Sequence, residues 1–458
     1  MLQNKNSVYR KALFLAIPMM IQNGITNAVG LIDNVMVGSL GTESMTAVSI
    51  VGQLIFVFNL SIFGGLSGPG IYGAQYYGQG NEEGVKSIFR LKWWIALCVV
   101  ALGIFVFLTS GDQLIMRYLQ GNGSGIDAGE TLALGKQYMQ VMLWGLTPFA
   151  ITQIYAGSLR ETGESVKPMI AGICSVIADV VFNYLLIYGK FGFPKMGVRG
   201  AAVATVIARF IELTVIICWS HIARRKHAFL QGIYRTLLVP AQMVKPVVLK
   251  GLPIFFNEFL WAGGIAVLTQ CYSRRGLTVV AGLNISNAIC NLLNVVFIAM
   301  GNAVGILTGQ MLGAARYEEA KKDSVHLMWF TGILCAGLTA ILVSVSRYFP
   351  LLYDTSEEVR RYGTYFIVIT ALFFPVQGFL NAMYFTLRSG GKTVITFLFD
   401  SGFTWVVSVT AATLLCKYTG FSIFIIYALI QAADLIKVLV GYVLIKKGVW
   451  VTNLVEGS

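Results

Sequence analysis

Twelve apolar runs follow one another along this chain, at roughly 12–37, 45–72, 91–110, 131–157, 168–188, 200–220, 246–273, 277–310, 324–346, 362–387, 393–415 and 421–445. A run of about 20 apolar residues is long enough to cross a bilayer as a helix. The strands of a membrane barrel would instead alternate apolar and polar over about 10 residues, and these runs are continuously apolar. Only 12% of the residues are charged, about half the fraction of a soluble domain. That is too little charge to coat a water-facing surface, so an all-α integral membrane protein with twelve transmembrane helices is expected. The first run is longer than a signal-peptide core, contains Pro18 and lacks a small-residue cleavage site, so it reads as a span.

The formal net charge is +13, which on a soluble protein would suggest nucleic acid. Here the basic residues border the spans. Of 34 Lys and Arg, 21 fall on the side that carries both termini and 11 on the other. The positive-inside rule then places both termini in the cytoplasm, with no nucleic acid as partner. Arg209 and Lys437 are the two that lie within spans. The basic stretch that includes Arg224, Arg225 and Lys226 is a cytoplasmic connector. The seven cysteines sit in or beside spans without CxxC spacing and read as packing residues.

The chain repeats itself. An offset of 235 residues aligns Pro18 with Pro253, Asn59 with Asn294, Gly70 with Gly305, Gln75 with Gln310, Gly78 with Gly313 and Glu83 with Glu318. It also places Gln22-Asn23 on Asn257-Glu258. An offset of 228 aligns Leu159-Arg160 with Leu387-Arg388 and Gly163 with Gly391. Six spans per half is an even number, so the halves run parallel, and parallel repeats place a binding site at their interface. The expected organisation is an N-lobe at 1–220, a connector at 221–245 and a C-lobe at 246–458.

Acids within spans cost roughly 2.5–3.5 kcal/mol each on insertion scales. The candidates are Asp33, Asp179, Glu212, Glu258, Asp400 and Asp434. Glu212 has Arg209 three residues away, which suggests a structural pair. Asp434 has Lys437 at the same spacing, which leaves pair and function both open. Asp33 and Glu258 have no basic residue within a turn, which favours function. Amides and phenols also line up at helical spacing: Asn284, Asn287, Asn291, Asn294 and Asn302; Gln377, Asn381, Tyr384 and Arg388; Tyr427, Gln431 and Asp434; Gln22, Thr26 and Asp33. One such stripe would be explained by helix–helix hydrogen bonds of about 0.6 kcal/mol each. Four stripes in both halves fit an aqueous cavity better. Pro18 and Pro253 interrupt the first helix of each half and mark its moving parts.

Other motifs fail. Gly391-Lys392-Thr393 mimics a phosphate loop, but position 386 is Thr where that loop needs Gly. His221, His227 and His326 have no metal-ligand spacing. Asn122-Gly123-Ser124 is a glycosylation sequon on the outer side. No catalytic constellation is present, so an enzyme is not expected.

Several stretches together, in order, resemble the multidrug and toxic compound extrusion (MATE) transporters over essentially the whole chain. They are Ile17-Pro18 followed by Gly30-Leu31-Ile32-Asp33-Asn34; Gly73-Ala74-Gln75-Tyr76-Tyr77-Gly78; Ser158-Leu159-Arg160-Glu161-Thr162-Gly163; the run from Gly189 through Pro194 and Gly200 to Thr205; and Gly309-Gln310-Met311-Leu312-Gly313. The resemblance implies two six-helix lobes around a V-shaped central cavity. It also implies export of organic cations against inward Na⁺ or H⁺, in the plasma membrane. It implies a monomer needing no cofactor, no accessory subunit and no partner beyond the bilayer and its small cationic substrates. Asp33 matches the family's acid in the first helix, which binds the driving ion and governs bending at Pro18. Many members carry an acid at the position of Asn183; here the acid is Asp179, one turn earlier. Asp33, Asp179 and Asn183 are therefore the expected ion site. Glu258 lies in the seventh helix, where several members use an acid. Glu258, Asp434, Trp261, Tyr384 and Tyr427, with Asn287, Asn291, Asn294, Gln377 and Asn381, are the expected substrate site, since carboxylates and ring faces both attract a lipophilic cation.

Two rivals remain. A lipid-linked precursor flippase of the same superfamily would want a cationic cavity, and an intramembrane lipid-modifying enzyme would want a nucleophile or metal cluster. A major-facilitator transporter would carry an Asp-Arg-rich loop where this chain has Gly78 to Glu83.

Overall fold

The computed structural model describes residues 2–119, 127–222 and 228–456. The sequon at Asn122, the connector basics Arg224, Arg225 and Lys226, and His227 lie outside the described residues. Among the described residues twelve long helices follow one another. They are α1 (Leu2–Gly38), α2 (Thr42–Gln79), α3 (Glu82–Leu119), α4 (Ala128–Glu161), α5 (Val166–Tyr188) and α6 (Gly197–Ile222), then α7 (Ala241–Ser273), α8 (Leu277–Gly313), α9 (Tyr317–Val345), α10 (Glu357–Ser389), α11 (Thr393–Tyr418) and α12 (Ile423–Lys446). Eleven are apolar and long enough to cross a membrane. The other, α4, is long enough but diluted by glycines, glutamines and Pro148. Helix is the physical answer here because lipid offers no hydrogen bonds, and a helix satisfies its own backbone. Where helices start near water, side chains cap them. Asp127 accepts from the amides of Gly129 and Glu130 before α4, and Ser422 accepts from Ile425 before α12. Gly189 ends α5 in the left-handed conformation at φ 67°.

The helices pack into two compact units. The N-terminal unit comprises Ile21–Gly73 and Glu82–Lys245; the C-terminal unit comprises Pro246–Ser458 together with Met1–Met20 and Ala74–Asn81. The division runs through α1 two residues beyond Pro18 and through α2 before its last turns. The helix continues past both Pro18 and Pro253.

The N-terminal unit has an apolar core that includes Val51, Ile115, Ile187 and Ala202. Within it lies a buried ion pair. The Lys92 ammonium of α3 is 1% exposed and reaches both carboxylate oxygens of Glu161, at 2.7 and 2.6 Å, and the Ser158 hydroxyl at 3.0 Å. Gly70 and Gly73 of α2 leave the room that the Glu161 carboxylate occupies. An unpaired buried charge would be strongly destabilising, so neither partner is dispensable alone.

In the C-terminal unit the last turns of α2 cross the end of α8 with no side chain between them. Gly78 lies against the backbone of Gln310, and Gly313 against the backbone of Gln75. These four residues are related by the 235-residue offset, so the crossing is a two-fold contact written twice in the sequence. Gln75 is fully buried. It donates to the carbonyls of Ser389 (2.8 Å) and Thr452 (3.3 Å) and accepts from the amide of Leu454 (2.7 Å). Its amide ties the C-terminal segment, anchored also by buried Trp450, to the α10–α11 turn. A Cβ branch at 313 has no space. Gly313→Val should therefore cost about 1–3 kcal/mol or more by overpacking, seen as a lower melting temperature in detergent. Gly337→Ala, whose Cβ meets nothing within 4 Å, should melt like the parent protein. Equal melting of the two variants would refute the close crossing.

Candidate functional site

Each unit brings polar side chains of several helices together inside its spans. In the N-terminal unit, α1 supplies Asp33, α5 supplies Asp179 and Asn183 one turn apart, and α6 supplies Thr205 and Arg209. Asn183 is 2% exposed and donates from Nδ2 to Asp33 Oδ1 at 2.9 Å. The Asp33 and Asp179 carboxyl groups lie within hydrogen-bonding reach of one another, and Thr205 faces Asp179. Two ionised carboxylates at that separation repel, so the pair needs a proton or a cation between them. No basic side chain forms an ion pair with either acid among the described residues. Arg209 instead donates to the Gly145 carbonyl at 2.9 Å and lies over the Phe149 ring at 5.0 Å. Asp179 Oδ1 and Asn183 Oδ1 are buried and accept no hydrogen bond. Buried acceptors without donors are costly. Carboxylate, amide and hydroxyl oxygens around one point are what a hard cation takes as ligands.

The expected Arg209–Glu212 pair does not form within ion-pair distance. Arg209 instead donates to the Gly145 carbonyl at 2.9 Å, and Glu212 is balanced through space by Arg160 of α4 as well as Arg209. Arg160 itself donates to Gln22 Oε1 at 2.9 Å.

In the C-terminal unit the centre is Asn257 of α7, 2% exposed. Its Nδ2 donates to Asp400 Oδ2 at 3.0 Å and to the Tyr384 hydroxyl at 3.3 Å, and its Oδ1 accepts from the Ser401 hydroxyl at 2.7 Å. Asp400 lies where α11 widens into π-helix, from Leu398 to Gly402 and again from Thr404 to Val409. Such π-turns recur at functional positions. Lys437 of α12 places Nζ 3.3 Å from Asp434 Oδ1 and 3.9 Å from Asp400 Oδ1. Gln377 of α10 donates to Asp434 Oδ2 at 2.7 Å. Glu258 faces Arg388 of α10, a counter-charge that its own helix does not supply.

Of the residues expected to bind substrate, Gln377, Tyr384 and Asp434 join this network directly, and Glu258 borders it. Tyr427 is held by the Thr370 hydroxyl at 2.9 Å and packs edge-on against Tyr272 and Phe366. Trp261 is 41% exposed. Asn287 and Asn291 are exposed too, with Asn294 donating to Asn291 at 3.2 Å. Asn381 is half-buried beside Gly301. Asn257, Ser401, Lys437 and Thr205 are absent from the site expected from sequence. Asn257 had one signal, its repeat relation to Gln22 beside Glu258. Both residues make the inter-helix polar contacts of the first helix in their half.

The MatE family model matches residues 18–185 and 253–414. The chain is 24% identical over 445 residues to the Probable multidrug resistance protein YoeA of Bacillus subtilis, covering 96% of this chain and 94% of that protein. It is 23% identical to the Probable multidrug resistance protein NorM of Thermotoga maritima, covering 90% and 86%. It is 27% identical over 369 residues to the Multidrug resistance protein MdtK of Yersinia pestis, covering 80% and 78%. Among solved structures it superposes on a Vibrio cholerae MATE transporter variant with a TM-score of 0.85 at 16% identity, over 98% of both chains. An outward-facing multidrug resistance MATE family transporter of the MOP superfamily gives 0.83 at 19% identity, over 96% and 95%.

The hydrogen bonds of Asn257 have a measurable consequence. Asn257→Ala removes the donor to Asp400 and the acceptor of Ser401, leaving buried groups unpaired at about 1–3 kcal/mol each. It should lower the melting temperature in detergent clearly, whereas Asn287→Ala, an exposed amide, should leave it unchanged.

Proposed function

Because the chain belongs to the MATE family of multi-pass membrane transporters, whose sequence model spans most of it, we propose that it is an antiporter that exports organic cations by alternating access, driven by inward Na⁺ or H⁺. The observation that carries this reading is the N-terminal cluster: two facing carboxyl groups and one amide, with one oxygen of Asp179 and that of Asn183 buried without donors. Asp33, Asp179 and Asn183, with Thr205, form the ion site. Occupancy by Na⁺ or a proton removes the repulsion between Asp33 and Asp179 and draws α1 and α5 together. An ion shifts a conformational equilibrium only through its different affinity for the two states. This site meets that condition because its ligands come from separate helices, and their spacing sets the affinity. Pro18, which lacks the amide that would tie its turn to the one before, is the hinge on α1. Pro253 is its counterpart on α7.

The cargo binds on the C-terminal unit. Asp434 and Asp400 share one ammonium, so with Glu258 their cluster keeps net negative charge, and Trp261, Tyr384 and Tyr427 supply ring faces for a lipophilic cation. The polar residues Asn287, Asn291, Asn294, Gln377 and Asn381 keep its path wet. Each inward charge supplies about 2.3 kcal/mol per 100 mV, roughly a 50-fold cargo gradient at about 1.4 kcal/mol per decade. The protein works as a monomer in the cell membrane with both termini in the cytoplasm.

The test is reconstitution into liposomes with ethidium as cargo, imposing a Na⁺ gradient and a pH gradient separately. One of the two should drive ethidium accumulation. Asp33→Asn should abolish it, collapsing the roughly 50-fold gradient toward equilibrium. If neither gradient moves any cation in a panel while a lipid-linked substrate crosses between leaflets, the antiport reading is wrong and a flippase replaces it.

A further inference from the structure

The two repeats present their intramembrane cationic residues differently. Arg209 in α6 and Lys437 in α12 lie at comparable depth in the sixth helix of each half. Arg209 is committed to the Gly145 carbonyl and the Phe149 ring, so the Asp33–Asp179 pair has no cation at contact distance among the described residues. Lys437 does the opposite. It is 9% exposed, and its ammonium lies 3.3 Å from Asp434 and 3.9 Å from Asp400. The second oxygen of each carboxylate is also taken, Asp400 Oδ2 by Asn257 at 3.0 Å and Asp434 Oδ2 by Gln377 at 2.7 Å. The Phe403 ring, 5.1 Å from Nζ, closes another side of the ammonium. Each acid therefore has one amide and one share of a single ammonium. No buried oxygen of Asp400, Asp434, Asn257 or Gln377 is left without a partner among the described residues, in contrast to Asp179 and Asn183.

We propose that Lys437 is a tethered cation that occupies, in the C-terminal unit, the place of an exchangeable ion, and so confines the coupling ion to the Asp33 site. This rests on the antiport reading and adds a determinant of its stoichiometry. A covalently attached ammonium has no translational entropy to lose and is present at high effective concentration, so free Na⁺ or H⁺ does not displace it. The neighbouring Glu258 has Arg388 of α10 as a counter-charge that acts through space. The unit thereby keeps its acids oriented without drawing on the ion gradient. Lys437 is a specificity-determining residue by this account: it never touches the coupling ion but decides where that ion binds.

The experiment measures ion binding to the full-length protein in detergent, using radiolabelled Na⁺ in one arm and proton uptake or release in the other. The parent protein should bind about one ion per chain through oxygen ligands, and Asp33→Asn should lose it. Lys437→Met in the Asp33→Asn background should regain ion binding, now at Asp400 and Asp434, and adding Asp400→Asn should abolish it again. Lys437→Arg in the same background keeps the tethered charge and should regain nothing. Should Lys437→Met fold poorly, Lys437→Gln with Asp434→Asn retains one carboxylate and a balanced charge change, with the same expected gain. A merely structural lysine would lose stability on substitution but create no new ion site.

Two outcomes overturn the proposal while leaving antiport intact. One is residual ion binding in Asp33→Asn that depends on Asp400. The other is folded Lys437→Met or Lys437→Gln variants that regain none. If the parent protein binds neither ion, the antiport reading falls, and the proposal with it.

Discussion

Charge inside a low-dielectric span has to be compensated where it stands, and most of this structure follows from that constraint. Water and salt are absent to screen it, so each buried acid is matched by a counter-charge, by amide donors, or by an ion that comes and goes. Lys92 with Glu161, and Lys437 with Asp400 and Asp434, are matched permanently. Asp33 and Asp179 are not, and Asp179 Oδ1 and the neighbouring Asn183 Oδ1 are buried and accept nothing. The same rule that holds the first two groups together leaves the third with carboxylate and amide oxygens unmatched. A transporter needs one such incomplete site, because a fully satisfied network has no reason to respond to an ion.

The duplicated sequence carries this logic through both halves without making them identical. Gln22 and Asn257 hold corresponding places in the first helix of each half. Both bridge to other helices, the one by accepting from Arg160 and the other by donating to Asp400. Gly78 and Gly313 make the same backbone contact reciprocally with Gln310 and Gln75. On that shared frame, small differences between the halves redirect the contacts. A glycine at 172 lets Gln22 approach α5, whereas an acid at 400 gives Asn257 a charge to orient. An arginine long enough to reach a carbonyl leaves one acid pair bare, and a lysine beside its own i−3 acid fills the other.

Much of the fold was readable in advance because lipid restricts what a chain can be. Runs of apolar residues of bilayer length admit one backbone solution, so twelve helices and their approximate limits follow from Leu, Ile, Val, Phe and Ala content alone. Asp33 and Glu258 stood out for the same reason, as acids without a local partner. What could not be read was any partnership between helices. Arg388 lies 130 residues from Glu258 in the chain, and no periodicity links them. Arg209 looked paired with Glu212 by spacing, yet the nearer reward was the Gly145 carbonyl. The π-helical stretch around Asp400 leaves no mark in composition, though it decides which way that carboxylate points.

The sequence by itself determined the class of molecule, the number of spans, the repeat and the short set of polar residues that lipid would not tolerate without purpose. These are properties of each segment's own transfer energy and of spacing along one helix. Only the tertiary structure decided which of those residues meet: Asn183 with Asp33, Asn257 with Asp400, and Lys437 between two acids. Coulombic and hydrogen-bond energies depend on distances of a few ångströms between helices far apart in the chain, and packing alone sets those distances.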